Sequence, residues 1–219
     1  TSNTTNPAIP TGQTWTGTVE FAALAGAQYI PAGTYTTLTL DNTSGTNTAN
    51  GNLSITTLNS TAGGTLDMGT TSLISAVTTA TGAAGVLKTS VPTLTSAVPI
   101  PTGKTWGGTV EYGALAGAQT VMAGTYTTLT LSNTSGTNTA SGNLSITTLT
   151  STAGGTLDMT TAYVISAVTT ASGSAGVIKT SVPTATSATP IPTGKTWGGT
   201  VEYGALAGAQ TVMAGTYTT

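Results

Sequence analysis

The chain repeats itself almost unchanged every 91 residues. Trp15, Trp106 and Trp197 follow one another at this spacing, and the first two copies are identical at 72 of 91 positions. The stretch 99–128 recurs without a substitution as 190–219. A period of this length is typical of repeat architectures, in which one structural unit is stacked or strung along the chain.

The period divides the chain into copies and fragments of one unit. We place the boundaries as follows: a tail of a preceding repeat at 1–8, repeat 1 at 9–99, repeat 2 at 100–190 and a partial repeat 3 at 191–219. The first residue is Thr rather than Met, and the last copy stops inside a predicted strand. We therefore expect a processed or excised piece of a longer array, whose repeats are one another's neighbours and partners.

Within one repeat, apolar residues alternate with Thr or Ser at a period of two residues, as β-strands require. Thr suits these strands because its branched Cβ prefers extended backbone. The one helix-like stretch, 111–119, is interrupted by two glycines. The pattern predicts an all-β fold whose interior is lined by one apolar set and its counterparts 91 residues later: Trp15, Val19, Leu38, Leu40, Leu53, Ile55, Leu66 and Met68.

Two all-β architectures fit a repeat of this size. In a parallel β-solenoid, each repeat makes about four or five coils and advances by about 19 or 24 Å, because hydrogen-bonded strands lie about 4.8 Å apart. In the alternative, each repeat is an immunoglobulin-like β-sandwich of about 30–40 Å, with antiparallel strands and a hinge near 92–101. Short, unevenly spaced strands, dense small residues and the lack of a clear linker favour the solenoid.

The composition argues against most kinds of catalytic and metal-binding sites. Charged residues are 5% of the chain, against about 25% in an ordinary soluble domain. His, Cys and Arg are absent, which removes imidazole bases, thiol nucleophiles and the usual zinc ligands. We therefore expect a protein without catalytic, cofactor-binding or metal-binding residues, that is, not an enzyme. Four Lys residues cannot neutralise a run of phosphates, and no apolar stretch reaches the ~20 residues of a membrane span, so neither nucleic acid nor a bilayer is expected as a partner.

Most of the few ionisable residues recur at fixed places in the repeat. Each repeat offers one Glu and one Asp that are well separated in the sequence, and repeat 1 adds only Asp41, which argues against a glycosidase carboxylate pair and against the roughly six to eight oxygens of a calcium site. We interpret the acids as solvated strand residues. A covalent bond from Lys88 or Lys179 to an Asn is a less favoured alternative. The acids are Glu20, Asp41, Asp67, Glu111, Asp158 and Glu202, and the remaining Lys residues are Lys104 and Lys195.

Two surface functions can be formulated from the remaining pattern. Exposed together, Trp106, Tyr112 and Tyr126 would form a sugar-stacking platform, although Trp and Tyr on the apolar side of a strand more often belong to the core. Thr-x-Thr pairs are similar to those of ice-binding solenoids, but their unequal spacing along the chain argues against an aligned ladder. The pairs are Thr37/Thr39, Thr46/Thr48, Thr93/Thr95 and Thr128/Thr130.

Several motifs resemble the repeats of very large cell-surface adhesins of Bacteroidota, and together they span nearly the whole unit. This resemblance implies an exported, surface-anchored filament that is secreted by the type IX route, and in some members it implies gliding motility. The motifs include Gly85-Val86-Leu87-Lys88-Thr89-Ser90, Pro99-Ile100-Pro101-Thr102-Gly103-Lys104-Thr105-Trp106, Ala123-Gly124-Thr125-Tyr126 and Gly155-Thr156-Leu157-Asp158-Met159.

The expected function is therefore a non-catalytic stalk segment of an extracellular, cell-surface adhesin that serves attachment or gliding motility. Its adhesive target would be a polysaccharide or another surface. One alternative is a matrix or sheath protein that associates with itself into fibres. Another is a repeated carbohydrate-binding module, which requires a solvent-facing Trp106.

Overall fold

The computed structural model describes residues 8–23, 28–81, 85–92, 97–114, 118–152, 154–172, 176–186, 188–205 and 208–218. The protein is almost entirely β and forms a parallel β-solenoid of about nine turns, as the alternating pattern predicts. The only helical element among the described residues is a 3-10 turn at Thr184–Thr186. Residues 1–7 of the predicted tail at 1–8, one glycine of the 111–119 stretch (Gly117) and the Thr93/Thr95 pair lie outside the described residues.

Nineteen strands form the described coils. Repeat 1 contains β1 (Gln13–Phe21), β2 (Tyr29–Leu40), β3 (Thr46–Ser60), β4 (Thr65–Asp67), β5 (Ile74–Ser75), β6 (Thr79–Thr81) and β7 (Val86–Thr89). Repeat 2 contains β8 (Lys104–Tyr112), β9 (Thr120–Val121), β10 (Gly124–Leu131), β11 (Thr137–Ala140), β12 (Leu144–Ser151), β13 (Thr156–Asp158), β14 (Ile165–Ser166), β15 (Thr170–Ser172) and β16 (Val177–Thr180). The partial repeat contains β17 (Lys195–Trp197), β18 (Thr200–Tyr203) and β19 (Gly215–Tyr217).

Each full coil has three straight segments, and β3 shows all three. Its residues 46–48 pair with β4, 53–54 pair with β5, and 57–59 pair with β6. Equivalent segments of successive coils stack in parallel register, so that the solenoid has three walls made of such segments. Small residues let the coils approach closely: a Cβ added to Gly124 would lie 2.7 Å from the backbone oxygen of Lys104 in the coil below.

The interior is the predicted apolar set. Leu38, Leu53 and Ile55 are fully buried, as are the counterparts of Leu53 and Ile55 in repeat 2, Leu144 and Ile146. This confirms the assignment of inward and outward positions. Two residues of the set, Trp15 and Val19, are only partly buried, because β1 pairs with β2 and with no other described strand.

The ladders continue across the boundary between the repeats. In β7, Val86 and Leu87 pair on one side with β4 of the same repeat and on the other side with Thr109 and Val110 of repeat 2. All strand pairs of the described chain are parallel. The sandwich alternative, with its antiparallel strands and its hinge near 92–101, is therefore wrong.

Successive repeats are rotated about the solenoid axis by one wall. On one side, Trp106 pairs with Ala80, which lies in the third segment of its coil. On the other side, Trp106 pairs with Tyr126, and Tyr126 pairs with Ile146 of the following coil, in line with the second segment. The second boundary repeats this offset through Ala171 and Trp197. One wall of repeat 1 carries Gln13, Gly33, Leu53, Ile74 and Pro99 in turn, so that one repeat makes four coils plus one third of a coil.

Candidate functional site: the junction between repeats

A ladder of alternating charges crosses the junction on its outer face. Asp67, Lys88 and Glu111 occupy the same register position in three successive coils, with Glu111 on the far side of the boundary. The Lys88 Nζ atom lies 3.5 Å from Glu111 Oε1. At the second junction Lys179 and Glu202 repeat the pair at 3.7 Å. Such partly exposed pairs contribute about 0.2–1 kcal/mol each, so they select the register more than they stabilise the fold.

A buried glutamine connects the two sides of the junction. Gln119 accepts a hydrogen bond from the Ala114 amide at 2.8 Å, and its Nε2 donates to the carbonyls of Thr89 at 3.0 Å and Val91 at 3.3 Å. The first bond joins two residues of repeat 2, and the other two satisfy carbonyls at the end of repeat 1. Because the Gln119 side chain is fully buried, loss of these bonds would leave polar groups without partners inside the protein.

The second junction contains the same set of contacts. Gln210 donates to the carbonyls of Thr180 at 3.1 Å and Val182 at 3.2 Å. Ser181 Oγ donates to the carbonyl of Gly204 at 3.1 Å, as Ser90 does to Gly113 at the first junction. Each repeat therefore ends in a surface that accepts the start of the next repeat in one orientation.

Two buried tyrosines hold the backbone between β9 and β10. Tyr112 Oη accepts a hydrogen bond from the Met122 amide at 3.0 Å, and Tyr126 Oη donates to the Met122 carbonyl at 2.5 Å. Burial raises the pKa of Tyr112 to about 12 and that of Tyr126 well above 10. Both hydroxyls therefore remain neutral and keep their bonds at any physiological pH.

The described acids make local structural contacts. Asp67 and Asp158 accept hydrogen bonds from the amides of Gly69 and Thr160, at 2.8 and 2.7 Å, and thereby close turns. Glu111, which we predicted to be simply solvated, instead pairs with Lys88 and accepts a bond from Ser132. Within the described residues, no group of three or more acidic side chains could hold a metal ion.

The three aromatic residues of the predicted platform, Trp106, Tyr112 and Tyr126, lie in the core. Trp106 is 2% exposed and Tyr126 is fully buried, which contradicts the sugar-stacking platform. Two equivalent cavities at the junctions have volumes of about 40 and 20 Å³ and are lined mainly by apolar residues and glycines. A drug-sized ligand needs about 300–1,000 Å³. An open depression of about 560 Å³ lies beside Ile165 and Pro192, and its lining contains only Val, Ile, Ala, Pro, Ser and Thr.

The junction residues could have been found from the sequence only in part. Lys88 and Glu111 recur together as Lys179 and Glu202, at the same separation, and opposite charges that keep one separation in both copies are a signal for a contact. The role of Gln119 had no such signal, because its partners are backbone carbonyls.

Comparison with known protein families, with curated proteins and with solved structures finds no match for this chain. No helix among the described residues is long and apolar enough to cross a membrane.

Proposed function

We propose that this chain is a non-catalytic stalk segment of a long extracellular filament on a cell surface, in which each repeat docks on its neighbours in the same chain. The observation that carries the proposal is the recurrence of one set of junction contacts, with Gln119 and Gln210 in equivalent positions. A unit that presents the same surfaces at its start and at its end extends into a rod of any length.

The physical properties of the coil agree with such a role. The hydrogen-bonded ladders run along the axis, so that extension of the rod is opposed by many backbone bonds at once. The chain has no cysteine, so its stability does not depend on the redox state of its surroundings. Its charged fraction of 5% makes the contacts between repeats only weakly sensitive to salt.

The proposal assigns the adhesive target to another part of the filament, because the residues of the predicted aromatic platform are buried and the open depression beside Ile165 is lined by no charged or aromatic group. The carbohydrate-binding alternative requires a solvent-facing Trp106, whereas this residue is buried. The alternative of a self-assembling matrix protein predicts that the purified protein forms filaments.

The proposal is tested on intact cells that make the protein and on the purified repeats. Antibodies against the repeat should label intact cells, and electron micrographs of multi-repeat chains should show continuous rods. A matched pair of variants tests the junction: Gln119→Leu should create a bend or break in the rods, whereas Gln13→Leu, at an exposed position, should leave them straight. A protein that is mainly cytoplasmic, or rods that Gln119→Leu does not alter, would contradict the proposal.

A further inference from the structure

A continuous column of hydroxyl side chains runs along one wall and across the repeat boundary. We call it the hydroxyl ladder. In repeat 1 its residues pair in direct register: Thr18, Thr37, Thr57 and Thr79. Because Ala80 pairs with Trp106, Thr79 stands beside Thr105, and the column continues in repeat 2 through Thr105, Thr125, Ser145 and Ser166.

The ladder faces outward along its whole length. The neighbouring positions Leu38, Trp106 and Tyr126 point into the core and are buried, whereas every member of the ladder is exposed or half-buried. Its seven steps cover about 34 Å at about 4.8 Å per strand. The rotation by one wall produces this length, since it places the second segments of repeat 2 directly above the third segments of repeat 1.

The alignment corrects the argument from unequal spacing. Thr37 and Thr57 are 20 residues apart, Thr57 and Thr79 are 22 apart, and Thr79 and Thr105 are 26 apart, yet they stack in register. The extra residues between Thr57 and Thr79 lie outside the paired segments, between Asp67 and Ile74, opposite the shorter stretch from Thr48 to Leu53 in the coil below. The straight segments therefore keep a regular array although the coil length varies.

Few charges lie near the ladder. Asp67, Lys88 and Glu111 lie on a different wall, whereas Glu20, two residues from the terminal Thr18, and Lys104, directly before Thr105, stand beside ladder positions. A surface with so few ionised groups is complementary to an uncharged partner. It also lacks an exposed aromatic side chain of the kind that stacks on sugars.

We propose that the hydroxyl ladder binds ice. Six of the eight ladder residues are Thr, whose χ1 on a strand is restricted, so that each presents a hydroxyl and a methyl group at a constant position. A rigid row at about 4.8 Å intervals approaches the repeat of the oxygen lattice in ice, so that water bridging the rungs is ordered before it joins the crystal. Methyl groups between the hydroxyls favour ordered first-layer water over a disordered hydration shell.

A second ladder occupies another wall, one third of a turn away. It is the repeat-equivalent of the first and consists of Thr109, Thr128, Thr148, Thr170, Thr196 and Thr216. A substitution in one ladder leaves the other intact, so a test must alter both.

The test uses the purified chain, with thermal hysteresis and incorporation into a growing ice crystal as readouts. The ladder variant combines Thr57→Lys with Thr148→Lys. The matched control combines Thr48→Lys with Thr139→Lys, which lie on outward positions beside Asp67 and Asp158 rather than on a ladder. Circular dichroism and the melting temperature establish that both variants remain folded.

The proposal predicts ice incorporation and thermal hysteresis for the unaltered chain, loss of both in the ladder variant, and retention in the control. It is overturned if the unaltered chain is excluded from the growing ice crystal, if the ladder variant retains activity, or if the control variant loses activity to the same extent as the ladder variant. Retention on crystalline cellulose that depends on the ladder, without incorporation into ice, would also overturn it and would assign the surface to a polysaccharide.

Discussion

At the scale of single residues, the two copies of the repeat differ in matched pairs. Repeat 2 has Tyr112, whose hydroxyl accepts a bond from the Met122 amide. Repeat 1 has Phe21 and Pro31 at the equivalent positions, so that it lacks both the hydroxyl and the N–H group. The remaining bond of the site is conserved between the copies, since Tyr35 donates to the Pro31 carbonyl at 2.7 Å. Removing both partners together leaves no buried donor unsatisfied.

This pairing predicts a strong coupling between Tyr112→Phe and Met122→Pro. Each single substitution leaves one buried partner without its bond, which costs about 1–3 kcal/mol. The double variant recreates the arrangement of repeat 1 and should be about 1 kcal/mol or more stabler than the sum of the single effects predicts. Urea unfolding of the four proteins measures the coupling, and additive effects would contradict the pairing.

The buried tyrosines also predict sensitivity to alkali. Burial raises the pKa values of Tyr35 and Tyr112 to about 12, whereas an unfolded tyrosine titrates near pH 10. The contribution of these neutral hydroxyls to stability is therefore complete below about pH 10 and is lost as the pH rises from about 10 towards 12. Urea midpoints measured across this range should fall, and the fall should be shallower in the Tyr112→Phe/Met122→Pro variant. Equal slopes would contradict this origin of the effect.

At the scale of the strand, the period of two predicts which side chains face the core. Leu144 is fully buried and Ser145 faces outward in the same strand, β12. The sequence could not predict the register between coils, because that depends on how many residues each corner absorbs. Thr57 and Thr79, 22 residues apart, align only because of such a corner.

Adjacent substitutions in β12 test the facing of this strand. Leu144→Asp places a charge without a partner in the core and should destabilise the chain by about 4 kcal/mol or more. Ser145→Asp should change stability by no more than about 1 kcal/mol. Ser145 is a better control than Thr130, which pairs with Glu111 and would bring two acids together. Unfolding free energies from urea titration compare the variants, and similar losses at both positions would contradict the facing.

At the scale of the whole molecule, the solenoid was predictable and its rotation was not. The repeat length and the strand pattern indicate stacked coils, and the predicted four to five coils per repeat agree with the four and one third observed. The offset is fixed by the pairing of Ala80 with Trp106 and of Val86 with Thr109, and by the copies of both pairings at the second boundary. None of these positions carries a sequence signal for its partner. Likewise, the charge pair of the junction was predictable from the sequence, whereas the contacts of its buried glutamine were not.

The offset predicts the geometry of a longer array. Four and one third coils give a rise of about 21 Å per repeat, and three repeats return to the starting wall after about 62 Å. Because the chain has no cysteine, a Thr48→Cys substitution in each repeat of a synthetic array provides one gold-labelling site per repeat. Electron tomography should show the labels winding around the rod with three per turn. Labels in a straight row, or a rise above about 30 Å, would contradict the offset.

The pairing of Phe21 with Pro31 also constrains how such a gene changes. Tandem copies that are identical at 72 of 91 positions exchange segments readily by unequal crossing-over and gene conversion. An exchange whose breakpoint falls between these two codons produces a repeat with Phe at the first position and Met at the second, or with Tyr at the first and Pro at the second. Each hybrid leaves a buried group without a partner. Selection against these hybrids keeps the two codons on one inherited block. Repeats of the parent gene should therefore carry either Tyr with Met or Phe with Pro, and recombinants between the two classes should be rare.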